Sequence, residues 1–261
     1  MSNQEVRLWP LLTALHRYDK SFSTRGRGEG TLIDAPILAY LIETPNGRLL
    51  VDVGCDYAKI ADPKLRAHWY ERPEAALPVP NMQDEQRIPR YLARLGLQPT
   101  DIDAVILTHL HFDHAGGLVD IPRADVHLHA KELEAAREPA DNVYFADEVE
   151  LPRQLRLHAN EYSPCSGVTV FETPGHTAGH VSVYVELSEG APIVLAGDAA
   201  DLMENLDDEI APGLCYRDDP APALRSLRCL KELAKSSGAE LWPNHDIEFF
   251  RRMRAFPEPY R

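Results

Sequence analysis

Thr108-His109-Leu110-His111-Phe112-Asp113-His114-Ala115-Gly116-Gly117 follows directly on a short apolar run, Asp103-Ala104-Val105-Ile106-Leu107. The run reads as a buried strand bounded by polar residues. His109, His111, Asp113 and His114 therefore gather where a core strand ends, which is where α/β folds place their chemistry. Imidazole nitrogen and carboxylate oxygen are ligands for borderline or hard divalent cations. In extended chain, residues two apart point the same way, so His109 and His111 can face one metal together. Asp113 and His114 follow as the chain turns toward a helix, and can face a second. Gly116-Gly117 lets the backbone make that turn closely.

Three further ligand types end strand-like runs downstream. His176 lies in Thr173-Pro174-Gly175-His176, just after Val168-Thr169-Val170-Phe171. Asp198 closes Ile193-Val194-Leu195-Ala196-Gly197-Asp198, and His245 closes Leu241-Trp242-Pro243-Asn244-His245. Any one of them alone would be an ordinary satisfied polar residue. Recurring at the ends of separate strands, they argue for one shared site.

The pattern His-x-His-x-Asp-His, then His, Asp and His, resembles that of the metallo-β-lactamase superfamily. Within it the chain is most similar to the N-acyl homoserine lactone lactonases, the quorum-quenching enzymes. The likeness takes in Ala39-Tyr40-Leu41-Ile42-Glu43-Thr44, Leu50-Val51-Asp52-Val53-Gly54, the His109 and His176 blocks, His245-Asp246-Ile247-Glu248 and Phe256-Pro257-Glu258. It implies an α+β fold, an αββα sandwich of two mixed sheets flanked by helices, in one domain spanning residues 1–261. It implies two metal ions. His109, His111 and His176 would hold the first; Asp113, His114 and His245 would hold the second; Asp198 and a hydroxide would bridge them. Zinc is the expected metal, and iron, cobalt and manganese suit the same ligands. Lactonases usually carry a tyrosine three residues after the bridging aspartate, where its hydroxyl contacts the substrate carbonyl. Here that position is Asp201. An ionised carboxylate accepts hydrogen bonds and donates none, so Asp201 bears on the substrate more than on the reaction type.

Composition narrows the alternatives. The chain has 261 residues, 44% of them hydrophobic, with acidic residues exceeding basic by 41 to 27 and a formal charge of −14. Phosphate binding needs basic surfaces, so a nucleic-acid partner is not expected. No apolar stretch is long enough to span a membrane. The start, Met1-Ser2-Asn3-Gln4-Glu5-Val6-Arg7, lacks the basic-then-apolar order of a secretory leader, so a cytoplasmic location is expected. The cysteines at 55, 165, 215 and 229 show no Cys-x-x-Cys spacing and read as reduced, partly buried residues. A homodimer is one option for the assembly.

Along the chain, residues 36–44 and 48–53 read as strands joined by a hairpin at Pro45-Asn46-Gly47. Residues 56–82 read as an irregular segment; the lactonase resemblance implies that it lines the substrate pocket, and plain surface packing is the alternative. Helical spacing marks 84–96, with a start near 88, and then 130–138 and 221–235. Residues 139–164 have no clear period and read as an insertion. Strands are expected at 168–173, 181–186, 192–197 and 239–242. His127 and His129 share a strand face, with no carboxylate near them in sequence, and read as structural. Asp52 and His180 read as supports for the ligands rather than ligands.

The expected activity is a dinuclear metal-dependent hydrolase that opens a lactone ring, foremost an N-acyl homoserine lactone, through a metal-bridging hydroxide. Asp113 or Asp201, if protonated, could supply the proton to the leaving alkoxide. The alternatives are a hydrolase of another small lactone or ester, and a persulfide dioxygenase with one iron, whose site looks similar around His109, His111, His176 and Asp198.

Overall fold

In a computed structural model, which describes residues 5–138, 143–150 and 155–261, the apolar runs pair into two mixed sheets. β1 (Arg7–Asp19), β2 (Leu32–Thr44) and β3 (Gly47–Val51) form an antiparallel meander. β4 (Ala104–Ile106), β5 (Asp125–His129) and β6 (Leu155–His158) extend it in parallel. The second sheet contains β7 (Tyr162–Cys165), β8 (Val168–Glu172), β9 (Val181–Val185) and β10 (Ile193–Leu195) in antiparallel order, with β11 (Glu240–Trp242) parallel to β10.

The period-two pattern of the strands builds the layers. On β2, Leu38, Tyr40 and Ile42 face the second sheet, while Ala39 and Leu41 face the opposite side. On β4, Ala104 and Ile106 join the layer between the sheets and Val105 joins the outer one. On β10, Ile193 and Leu195 point inward and Val194 outward. Helices cover both outer faces. The helices of the described residues are α1 (Tyr57–Ala61), α2 (Pro63–Trp69), α3 (Ile88–Arg94), α4 (Phe112–Ala115), α5 (Ala130–Ala136), α6 (Ala146–Val149), α7 (Met203–Asp208), α8 (Pro220–Ser237) and α9 (Ile247–Phe250), and not all of them lie on those faces: Phe249 and Phe250 of α9 pack against the layer between the sheets. Leu92 of α3 and Leu133 of α5 pack against the first sheet; Leu227 and Leu230 of α8 pack against Val194 of the second. The boundaries of α8 are written locally: Asp219 caps Ala221, Pro220 takes the first helical position, and Gly238 ends the helix at φ +71°. This is the αββα sandwich.

The structure departs from the sequence expectations in three places. Residues 56–82 are not irregular throughout, since α1 and α2 lie within them. Residues 139–164 are not simply an insertion: β6 and β7 are edge strands of the two sheets, and the chain crosses between sheets there. Residues 139–142 and 151–154 fall outside the described residues. Strand β1 has no counterpart in the sequence reading. It is an edge strand, which accommodates Pro10, a residue without a backbone donor.

Candidate metal centre

Every ligand type singled out in the sequence sits on a loop that leaves the C-terminal end of a strand, and the sheets bring these loops together. The loop after β4 carries His109 to His114, that after β8 carries His176, that after β10 carries Asp198, and that after β11 carries His245. Close backbone approach is needed twice. A Cβ at Gly117 would run into the Val53 carbonyl, and one at Gly197, which sits at φ +57°, would meet His180 Nε2 at 2.7 Å.

Asp198 lies at the centre. Its Oδ2 is 3.8 Å from His109 Nε2 and 3.4 Å from His176 Nε2. Its Oδ1 is 3.3 Å from His114 Nε2 and 3.2 Å from His245 Nε2. His111 Nδ1 approaches His176 Nε2 at 3.0 Å. Asp113 Oδ2 is 3.7 Å from His114 Nε2 and 3.8 Å from His245 Nε2. Two triads result, His109/His111/His176 and Asp113/His114/His245, each with ligand atoms close enough to share one ion.

The opposite ring nitrogens are held. His114 Nδ1 lies 2.8 Å from Asp52 Oδ2, whose carboxylate also accepts from the Thr108 amide and hydroxyl at 2.8 Å. His245 Nδ1 donates to the Pro36 carbonyl at 2.8 Å and His176 Nδ1 to the Leu214 carbonyl at 3.1 Å. Such contacts fix the tautomer and aim Nε2 inward. The expected supporting role of Asp52 is met, as is that of His180, which accepts the Asp198 amide at 3.0 Å on Nε2 and bonds Thr173 Oγ1 at 2.9 Å through Nδ1. Burial first, then His176, depresses His180 to about 3, so the ring is neutral.

The electrostatics point the same way. Burial and then its neighbour His114 hold His109 well below its usual value; burial and then His176 do the same for His111. Burial works against protonation of His114 and His245 too, but Asp198 outweighs it, raising His114 well above the ordinary value and His245 to about 10. Burial pushes Asp198 up, yet His114 and His245 hold it well below. A carboxylate field that draws protons onto buried imidazoles draws a divalent cation more strongly, and the cation displaces those protons. His109 Nε2 is fully buried without a hydrogen-bond partner, a state that costs free energy unless something coordinates it. The donor set fits metal ions.

Asp201 lies beside this centre, 4% exposed. Burial and then the negative charge of Asp198 push its carboxyl well above the usual range, so ionisation there calls for a cation beside it. The cleft above is lined by Asp113, Asp201, His16 and Tyr18 on its polar side. Phe22, Leu77, Phe112, Val143 and Leu214 form its apolar side, so the 56–82 segment reaches the cleft through Leu77.

Two functional residues escaped the sequence reading. Asn244 donates to Asp198 Oδ1 at 2.9 Å. Glu132 of α5, fully buried, accepts from the Leu110 amide, Tyr144 hydroxyl, Thr177 hydroxyl and Gly179 amide at 2.6–3.1 Å. It ties the His109–His114 loop to the His176–His180 loop. A glutamate just after a strand was the only signal, and it is a weak one.

The remaining candidates are not among the residues that converge on Asp198. His127 Nδ1 meets His158 Nε2 at 3.1 Å, and both rings stack with Tyr162. His129 does find a carboxylate, Glu172 at 3.2 Å, from β8 rather than from nearby sequence. All four cysteines are free; Cys229 is exposed rather than partly buried. No helix among the described residues is long and apolar enough to cross a membrane.

Comparison with known proteins agrees with this geometry. The Metallo-beta-lactamase superfamily profile matches residues 32–245. An N-acyl homoserine lactonase of Bacillus thuringiensis is 33% identical over 230 residues, 88% of each chain. One of Azorhizobium caulinodans is 27% identical, covering 98% of this chain and 99% of its own. The solved structure of an N-acyl homoserine lactone hydrolase, with the product N-hexanoyl-L-homoserine at its catalytic metal center, superposes with a TM-score of 0.87 at 31% identity, covering 98% of this chain and 99% of that one. The chain belongs to the metallo-β-lactamase superfamily and, within it, to the N-acyl homoserine lactonase family.

Proposed function

We infer that this protein is a two-metal hydrolase that opens the ring of N-acyl homoserine lactones. The observation that carries the reading is the division of Asp198, one carboxylate oxygen toward each triad. His109, His111 and His176 would hold one ion, Asp113, His114 and His245 the other, with Asp198 between. Ions bound there supply an acidified water as nucleophile and a positive field for the developing oxyanion. Zinc suits these ligands best.

The chain's own residues do the rest. Asp52 and the Pro36 and Leu214 carbonyls keep His114, His245 and His176 in the tautomer that presents Nε2. The apolar side of the cleft takes an acyl chain and excludes water from it. Asp113 lines the cleft and is the more exposed of the two candidate acids, so we assign its carboxylate to accept the proton that the nucleophilic water gives up and pass it to the leaving alkoxide. Free cysteines accord with the reducing cytoplasm.

The single-iron dioxygenase reading leaves the second triad without a task, although its members converge as closely as the first. The deciding experiment is pH-stat titration of metal-loaded protein with N-acyl homoserine lactones, alkyl γ-lactones and linear esters. Acid release fastest on the acyl homoserine lactones supports the reading. Oxygen uptake on a persulfide, with no acid release on any lactone, overturns it.

A further inference from the structure

We propose that Asp201 is an additional ligand of the second metal ion, the one assigned to Asp113, His114 and His245. The proposal rests on the two-metal reading above and adds a residue to it. Asp198, Asp201 and His245 each present one ligand atom, and these atoms lie within 4.8 Å of one another. The Asp201 carbonyl accepts the His245 amide at 2.8 Å, which fixes the two side chains' origins side by side. Asp201 Oδ1 is fully buried and has no hydrogen-bond partner. A buried carboxylate with an unused oxygen is costly unless a cation meets it.

The surroundings leave few other cations. Among the described residues that line the cleft there is no lysine or arginine, while Asp113, Asp198 and Asp201 all face it. Ser23, whose hydroxyl bonds Tyr18 at 2.9 Å, is the neutral neighbour of Asp201. Three carboxylates and a hydroxide balance two divalent ions, so the site closes electrically with Asp201 as a ligand. The added oxygen makes the second site harder than the first, with its three imidazoles. It shifts that site toward manganese, iron(II) or cobalt relative to zinc.

The test is chelator competition on cobalt-loaded protein, read by metal content and by the visible cobalt spectrum, for wild type, Asp201→Ala, Asp201→Asn and Ser23→Ala. Wild type should bind two ions. Asp201→Ala should hold the weaker ion about tenfold or more less tightly. Its cobalt absorption should intensify as the coordination number falls. Asp201→Asn keeps the shape and tests the same loss should the alanine variant fold poorly. Ser23→Ala should behave as wild type; if it reproduces the aspartate variants, the effect runs through hydrogen bonding and the proposal fails. Wild-type affinities and spectra in both Asp201 variants overturn this proposal alone. A wild type that takes up only one ion overturns the two-metal reading and this proposal with it.

Discussion

Asp198 turns a carboxylate oxygen to each of two histidine groups, and no other residue of the centre does. Asp198→Ala should therefore lose metal from both positions, and lactone turnover should fall about a thousandfold, roughly 4 kcal/mol of barrier. Metal analysis alongside initial rates checks it; near-normal values for both would remove Asp198 from the bridge. Glu132 acts at one remove. Glu132→Gln forces an amide among four donors, and the expected result is a stability loss of about 1–3 kcal/mol with metal affinity about 10- to 100-fold weaker. Urea unfolding and chelator competition measure the two separately. At this scale the sequence was most legible where chemistry fixes residue type: histidines and aspartates at strand ends point to a metal whatever surrounds them. Glu132 and Asn244 were not legible, because their roles come from partners far away in the chain. The burial of Asp201 was hidden for the same reason. A position in the sequence does not say how much water reaches it.

Among the elements, α1 and α6 are joined by a buried charge cluster. Lys59 is 2% exposed. Its Nζ lies 2.7 Å from Asp147 Oδ1 and 2.5 Å from Glu148 Oε1, and 4.4 Å from the centre of the Trp69 ring. The clamp holds the segment that brings Val143 to the cleft. Lys59→Met alone strands Glu148 in an apolar setting and should cost roughly 3 kcal/mol, whereas Lys59→Met with Glu148→Leu should recover most of it. Denaturant midpoints for the single and double variants test this, and equal losses in both would show that the pair contributes nothing specific. Helices α3, α5 and α8 and strands β2 to β4 were legible because their apolar residues keep one period and their ends carry turn or capping residues. β1 was not: Leu8, Trp9, Leu11 and Ala14 are all buried, and a run apolar on both faces, interrupted by Pro10, has no period to read. The short strands β6 and β7 are edges, half exposed, and defined by their partners rather than by their own composition.

For the whole molecule, the two sheets are the device that turns distant strand ends into one cleft, and its pH response follows from histidines both inside and outside that cleft. Burial and then His158 hold His127 down at about 4, against an ordinary value of 6.5. Its folded value is depressed, so the unfolded chain binds the extra proton between those limits. The contribution is complete above pH 6.5 and is lost as pH falls toward 4. Because the ring is partly exposed, solvent screening leaves it at about 1–2 kcal/mol. Urea midpoints at pH 7 and pH 5 should thus differ less in His127→Gln than in the wild type, with turnover at pH 7 unchanged; an equal pH dependence in both would place the acid sensitivity elsewhere. The order of the layers was legible only through resemblance to a known family, since strand periodicity tells which face is buried but not which strand lies beside which. Two ions are expected to serve one lactone-opening reaction. The most direct test is stepwise metal addition to metal-stripped protein, with N-acyl homoserine lactone opening followed at each step. Activity that rises to a plateau at two ions per chain is the predicted result; full activity at one ion, or two bound ions with no ring opening, would contradict it.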